Sequence, residues 1–183
     1  MRVLNYLELE DRLERSGIGT STAHQRAALA DTDHVVETSP WAGGSPVSAA
    51  GRRLLGDPCF REYDLAHCNV IGPGSVAVAR HARRNDVPLV LHAHVTAEDF
   101  AESFRFSSRV TGPLRRYLRW FYSQADLVLC PSEYTRSNIE AYPVDAPIRQ
   151  ITNGVDAERL AGDERLREEY RDRYDIEGTS VFT

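Results

Sequence analysis

Four stretches of the chain carry residue types and spacings that do chemistry. The first is Ser16-Gly17-Ile18-Gly19-Thr20. Two glycines let backbone approach a ligand, and a helix beginning just beyond them offers free amides and the positive end of a dipole, which suits a phosphate. The bland alternative is a turn with a tight helix entry. The third glycine of G-x-G-x-x-G is missing and the chain has no lysine, so neither the dinucleotide fingerprint nor a P-loop is present. The second stretch is His92-Ala93-His94, with Glu98 and Asp99 soon after. No third ligand stands at a metal-site spacing, so no metal is expected. His94 is the candidate hydrogen-bonding or acid–base group, aimed into a cleft from the end of a strand, and His92 is the side chain that packs.

The third is a basic helix in which Arg115, Arg116 and Arg119 share one face with Tyr117 and Trp120 beside them. It reads either as a solvated surface or as a contact for anionic lipid headgroups, with Arg attracting and Trp anchoring. The window from Ser103 to Ala125 holds five Arg and no acid, against a whole-chain charge of −5. A window that short in an acidic protein is weak support for nucleic acid, which is not an expected partner. The fourth is Asn153-Gly154-Val155-Asp156, a turn that closes one region and opens a highly charged one.

These residues need elements to hold them. Apolar runs at Arg2–Leu7, His34–Glu37, Asp64–Asn69, Pro88–His92, Asp126–Cys130 and Pro147–Thr152 predict six strands. Pro88–His92 reads as apolar on both faces, as in a central parallel strand. Helices are predicted between them: one capped by Thr20 or Ser21 with Ala23, Ala27 and Ala30 on one face, then about Ala49–Leu55, Ser75–Arg84, Val110–Gln124 with Leu114, Leu118, Phe121 and Ala125 inward, and Ser132 to about Tyr142. Strand–helix alternation at this spacing predicts an α/β fold: a Rossmann-like open parallel sheet with helices on both faces. In such sheets ligands bind beyond the carboxyl ends of the strands, where the glycines and His94 fall.

The chain has 183 residues, 42% of them hydrophobic, which excludes disordered and collagen-like classes. All 22 basic residues are arginine, a bias that a GC-rich genome or anion recognition produces. Cys59, Cys68 and Cys130 lack paired spacing, and reduced thiols in a cytoplasmic protein are expected. No segment has the roughly 18 apolar residues of a membrane span.

Taken in order, RVLNYLELEDRLERSGIGTSTAHQRAAL, HAHVTAEDF, ADLVLCPSEYTRSNI and ITNGVD resemble the N-terminal half of family 4 glycosyltransferases of the GT-B fold. The H-x-H followed by T-x-E-D-F is similar to the branch that glucosylates diacylglycerol. The resemblance implies a retaining, metal-free transfer of a hexose from a nucleotide-sugar, which is a substrate rather than a cofactor. Gly17 and Gly19 match the glycine-rich loop near the donor diphosphate, and His94 matches the cleft histidine near the reacting centre. Ser132, Asn153, Gly154 and Asp156 match structural motif positions, while Arg115, Arg116, Arg119 and Trp120 correspond only by region to a membrane-facing or acceptor-facing side. Residues 1–152 are expected to form the acceptor-side domain. Residues 153–183 are expected to form a linker, a charged helix and, from Ser180, the first strand of a truncated donor-binding domain. The family's donor-binding Arg and Lys and its E-x7-E motif have no counterpart here, so the chain alone is expected to be inactive. The competing expectation is a non-catalytic acceptor-binding or membrane-docking subunit that pairs with a donor-binding chain. A GT-B sugar epimerase is discouraged by the N-G-V-D junction. The expected location is the cytoplasm, with the inner face of the membrane as the docking surface under the lipid reading.

Overall fold

The computed structural model describes residues 1–99, 111–154 and 163–175. It divides into two compact units, Met1–Asn153 and Gly154–Thr183. The first contains strands β1 (Arg2–Tyr6), β2 (Val35–Glu37), β3 (Leu65–Cys68), β4 (Leu89–His92), β5 (Leu127–Cys130) and β6 (Ile148–Gln150). Its helices are α1 (Glu10–Leu13), α2 (Gly17–Ala30), α3 (Pro46–Leu54), α4 (Pro73–Arg84), α5 (Thr111–Tyr122) and α6 (Glu133–Glu140). In the second unit the described element is α7, Asp163–Tyr174. Val155 to Gly162, including Asp156, and the apolar run at Ser180–Thr183 lie outside the described residues, as do Arg105 and Arg109.

All six strands run parallel in the order β2-β1-β3-β4-β5-β6. Right-handed crossovers therefore put α2, which leads from β1 out to β2, on one face, and the helices leading from β3 to β6 on the other. The chain reverses its direction of travel between β1 and β3, which makes the carboxyl ends of these strands the topological switch point.

The register separates two unlike faces. Leu4 and Tyr6 of β1, Ala66 and Cys68 of β3, Leu89 and Leu91 of β4, and Val128 and Cys130 of β5 share one side. They are buried with Val78, Ala79 and Ala82 of α4, Leu118, Phe121 and Tyr122 of α5, and Ile139 of α6. Each large side chain so buried stabilises the fold by roughly 1.5–3 kcal/mol. The inward stripe expected on α5 is the one observed. The opposite side carries Asn5, His67, Val90 and His92, so β4 is not apolar on both faces.

The start of α2 and the way it faces have separate causes. The helix starts at Gly17, three residues before the expected cap, because Ser16 Oγ accepts from the Gly19 amide at 3.1 Å. The alanine face of Ala23, Ala27 and Ala30 is exposed, while Ser21, Thr22, Gln25 and Arg26 turn inward onto a sheet surface that demands hydrogen bonds.

Candidate active site

A continuous polar layer lies between α2 and the strand ends. Asn5 is fully buried in β1. Its Nδ2 donates to Gln25 Oε1 at 3.0 Å, and its Oδ1 accepts from Arg26 Nε at 3.3 Å and Asn69 Nδ2 at 3.3 Å. Arg26 also donates to the Asn5 carbonyl at 3.1 Å and is held by Glu10 of α1. Burying Asn5 is tolerable because it is so well bonded. Gln25 Nε2 meets His92 Nδ1 at 3.0 Å and donates to Ser21 Oγ at 3.4 Å. Ser21 Oγ in turn donates to Asn153 Oδ1 at 3.0 Å, joining the ends of β1, β4 and β6 through one helix.

At the centre stand three stacked imidazoles. The His67 and His92 rings lie 5.7 Å apart and nearly parallel, and the His92 and His94 rings are 4.0 Å apart at 17°. Burial holds all three neutral. It brings His94 down to about 4. Burial, together with the charge His94 would carry, brings His67 to about 4. Burial and both neighbouring rings bring His92 to about 2. Among the described residues, the Nε2 atoms of all three, and Asn69 Oδ1, are buried without a protein partner. A neutral ring at a strand end with an unused nitrogen is equipped to hydrogen-bond a substrate group. Among the described residues no group of three or more His, Cys, Asp or Glu side chains is arranged to hold a metal ion.

The segment from Val95 to Asp99 fixes His94 in place. Tyr122 OH donates to the Val95 carbonyl at 3.1 Å. Thr96 and Asp99 cap each other, with Thr96 Oγ1 donating to Asp99 Oδ2 at 2.7 Å. The Ala97 amide donates to Tyr142 OH at 3.0 Å, and Tyr142 OH donates to Glu98.

The other expected residues separate into distinct settings. Gly17 and Gly19 occupy the first turn of α2 rather than a loop. The Gly19 amide is taken by Ser16, and a β-carbon on Gly19 would stand 2.1 Å from the Leu13 carbonyl oxygen. Gly17 has nothing within 4 Å of such an atom. The basic helix does not join the site. Arg115 pairs with Glu98 and lies over the Tyr142 ring, and Arg119 Nε donates to the Pro143 carbonyl at 3.1 Å. Trp120 is partly exposed beneath Arg80, whose guanidinium is 5.9 Å from the ring centre. Ser132 caps α6, accepting from the Thr135 amide at 3.1 Å.

Sequence reasoning missed Asn5, Gln25, His67 and Asn69. The available signal was a polar residue inside each apolar run, at Asn5 in RVLNYL and His67 in DLAHCN, whose strand register places both on one face. It also missed Glu8, whose carboxylate accepts from the Gly74 amide at 3.0 Å and from the Ser75 amide at 3.3 Å, filling the amino end of α4 at the switch point.

A six-stranded, all-parallel Rossmann-like sheet with its polar layer at the carboxyl edge is the architecture of one half of a GT-B glycosyltransferase. Crystal structures of the Anabaena protein HepE, with UDP-glucose and with UDP, overlay on 93% of this chain and 50% of that one, at TM-scores of 0.51 and 0.54 and 19% identity. The family model for Glycosyltransferase Family 4 matches residues 31–159, and the chain belongs to that family. A processive diacylglycerol alpha-glucosyltransferase from Acholeplasma laidlawii is 28% identical over 178 residues, 97% of this chain and 47% of the relative. The chain thus spans about half the length of the relatives it matches.

Proposed function

We propose that the chain forms the acceptor-side half of a retaining hexosyltransferase that moves glucose from a nucleotide-sugar to the hydroxyl of a membrane lipid without a metal ion. The observation that carries this reading is the neutral His94 at the carboxyl end of β4, with a buried, unused Nε2 and a loop pinned by Tyr122 and Tyr142. On this reading its ring hydrogen-bonds the sugar or the acceptor hydroxyl as the glycosidic bond to the diphosphate breaks. The Gly17 end of α2 offers amides to the leaving diphosphate. The name of the Acholeplasma relative supports glucose, a lipid acceptor and retention, since UDP-glucose is itself an α-glycoside and the product is α. The UDP-glucose complex of the Anabaena neighbour supports the nucleotide-sugar. The remaining donor contacts belong to the half of the fold that the chain does not span.

Transfer of labelled glucose from UDP-glucose to dispersed diacylglycerol tests this. The chain supplied with a donor-side half turns over, and His94→Ala lowers kcat by roughly 10²–10⁴. An unchanged rate for His94→Ala would remove His94 from the site. Robust transfer by the 183-residue chain alone would overturn the half-site reading.

A further inference from the structure

The hydrogen-bonding role of Arg26 cannot be reversed, because a guanidinium only donates. Glu10 and the Asn5 carbonyl hold it in place, and its Nε lies 3.3 Å from the Asn5 side-chain oxygen. The opposite setting of the Asn5 amide would turn its NH2 toward the guanidinium, donor against donor. Asn5 therefore keeps its oxygen toward Arg26 and aims its hydrogens elsewhere. Its Nδ2 donates to Gln25 Oε1 at 3.0 Å and faces His67 Nδ1 at 3.5 Å.

With its oxygen so occupied, Gln25 turns its own NH2 to His92 Nδ1 at 3.0 Å and to Ser21 Oγ at 3.4 Å. Ser21 fits this setting, since its hydrogen is given to Asn153 Oδ1 at 3.0 Å and its oxygen is left to accept. An N–H aimed at a ring nitrogen requires that nitrogen to be bare. A neutral imidazole then carries its single proton on the other nitrogen. Polarity thus passes from a guanidinium on α2 through two amides to rings on β3 and β4. Both rings are buried, and among the described residues neither Nε2 has a protein partner.

We infer that Arg26, Asn5 and Gln25 are positioning residues that lock His92, and with it His67, in the Nε2–H tautomer, fixing both ring tips as donors. The Gln25 contact is the shorter, so the lock is tightest at His92. Two buried N–H donors select an acceptor oxygen, such as that of a hydroxyl or a phosphate, and reject a cation. A proton added to His92 Nδ1 would meet the Gln25 N–H, so the ring stacked on His94 stays uncharged. Only the owner of the acceptor oxygen rests on the transfer reading; the tautomers are read from the chain without substrate.

Long-range nitrogen–proton correlation spectra of the labelled 183-residue chain near neutral pH identify the protonated nitrogen of each ring. Wild-type His92 shows Nδ1 at the bare-nitrogen limit and Nε2 at the protonated limit, not the averaged shifts of free histidine. Gln25→Glu keeps the size but turns a carboxylate to the ring, and His92 Nδ1 becomes protonated. Arg26→Met frees the Asn5 amide to turn, and both rings move toward averaged shifts with circular dichroism unchanged. Averaged shifts or a protonated Nδ1 at wild-type His92 overturn the lock, as does a bare Nδ1 retained in Gln25→Glu. Limiting shifts retained in Arg26→Met remove Arg26 as the source of polarity and overturn the assignment too. Glucose transfer, measured with a donor-side half, reports the site reading separately: its failure with these tautomers in place removes the sugar and leaves the lock.

Discussion

Gly19 has no room for a β-carbon, because the position that atom would take is 2.1 Å from the backbone oxygen of Leu13 and 2.9 Å from that of Glu14. Neither obstacle is a side chain that can swing aside. Gly19→Ala should destabilise the protein by about 3 kcal/mol or more, read by denaturant unfolding. Gly17→Ala meets nothing and should raise stability by up to about 1 kcal/mol through the unfolded chain. If the Gly17 amide touches the donor diphosphate, that same substitution slows transfer while the melting temperature holds. The two glycines were equal partners in the sequence. They differ because the short helix α1 passes under one of them, and no local pattern reveals what a neighbouring element will crowd.

At the scale of elements, the histidine segment is positioned from helices far away in sequence. Tyr142 lies just beyond α6, yet its hydroxyl accepts from the Ala97 amide, three residues past His94. Tyr142→Phe strands that buried amide and should cost about 1–3 kcal/mol. Hydrogen exchange at Ala97 should quicken accordingly, and the His94 ring resonances should move; unchanged exchange would show that the pin is unimportant. The elements themselves were legible, because six apolar runs separated by helix-length segments admit few arrangements. The orientation of α2 was not. Its alanines share one face, but that pattern does not say which way the face turns; a helix faces whatever the sheet presents, and here the sheet presents Asn5, His67 and His92.

For the molecule as a whole, one apolar and one polar face imply a particular sensitivity to acid. In the unfolded chain each imidazole takes up a proton below about pH 6.5. In the folded protein His67 and His94 do so near 4 and His92 near 2. Between these limits the unfolded state binds more protons, so the stability contribution is complete above about pH 6.5 and is lost as the pH falls. Each unmatched proton costs about 1.4 kcal/mol per pH unit. Thermal melts from about pH 7.5 to 5 should therefore drop steeply, and His67→Asn or His92→Asn should flatten the profile. A level wild-type profile would mean that the rings are charged or solvated. The fold class was legible from strand–helix alternation, and so was the position of His94 just beyond a strand end. The layer around it was not, since it is assembled from β1, β3, β4 and α2 by register alone.

The Glu8 carboxylate on the amino end of α4 ties together positions that are distant in the chain. A β-carbon at Gly72 would stand 2.3 Å from Glu8 Oε2, and one at Gly74 would stand 2.3 Å from the Tyr6 hydroxyl. A side chain at either glycine would evict the acid, and the helix would lose the anion that neutralises its dipole. Positions 6, 8, 72 and 74 should consequently drift as a linked set among related sequences. Homologues that have lost the acid should be the ones in which the glycines are replaced, and in those the vacated amides become free to receive an anion from outside the chain.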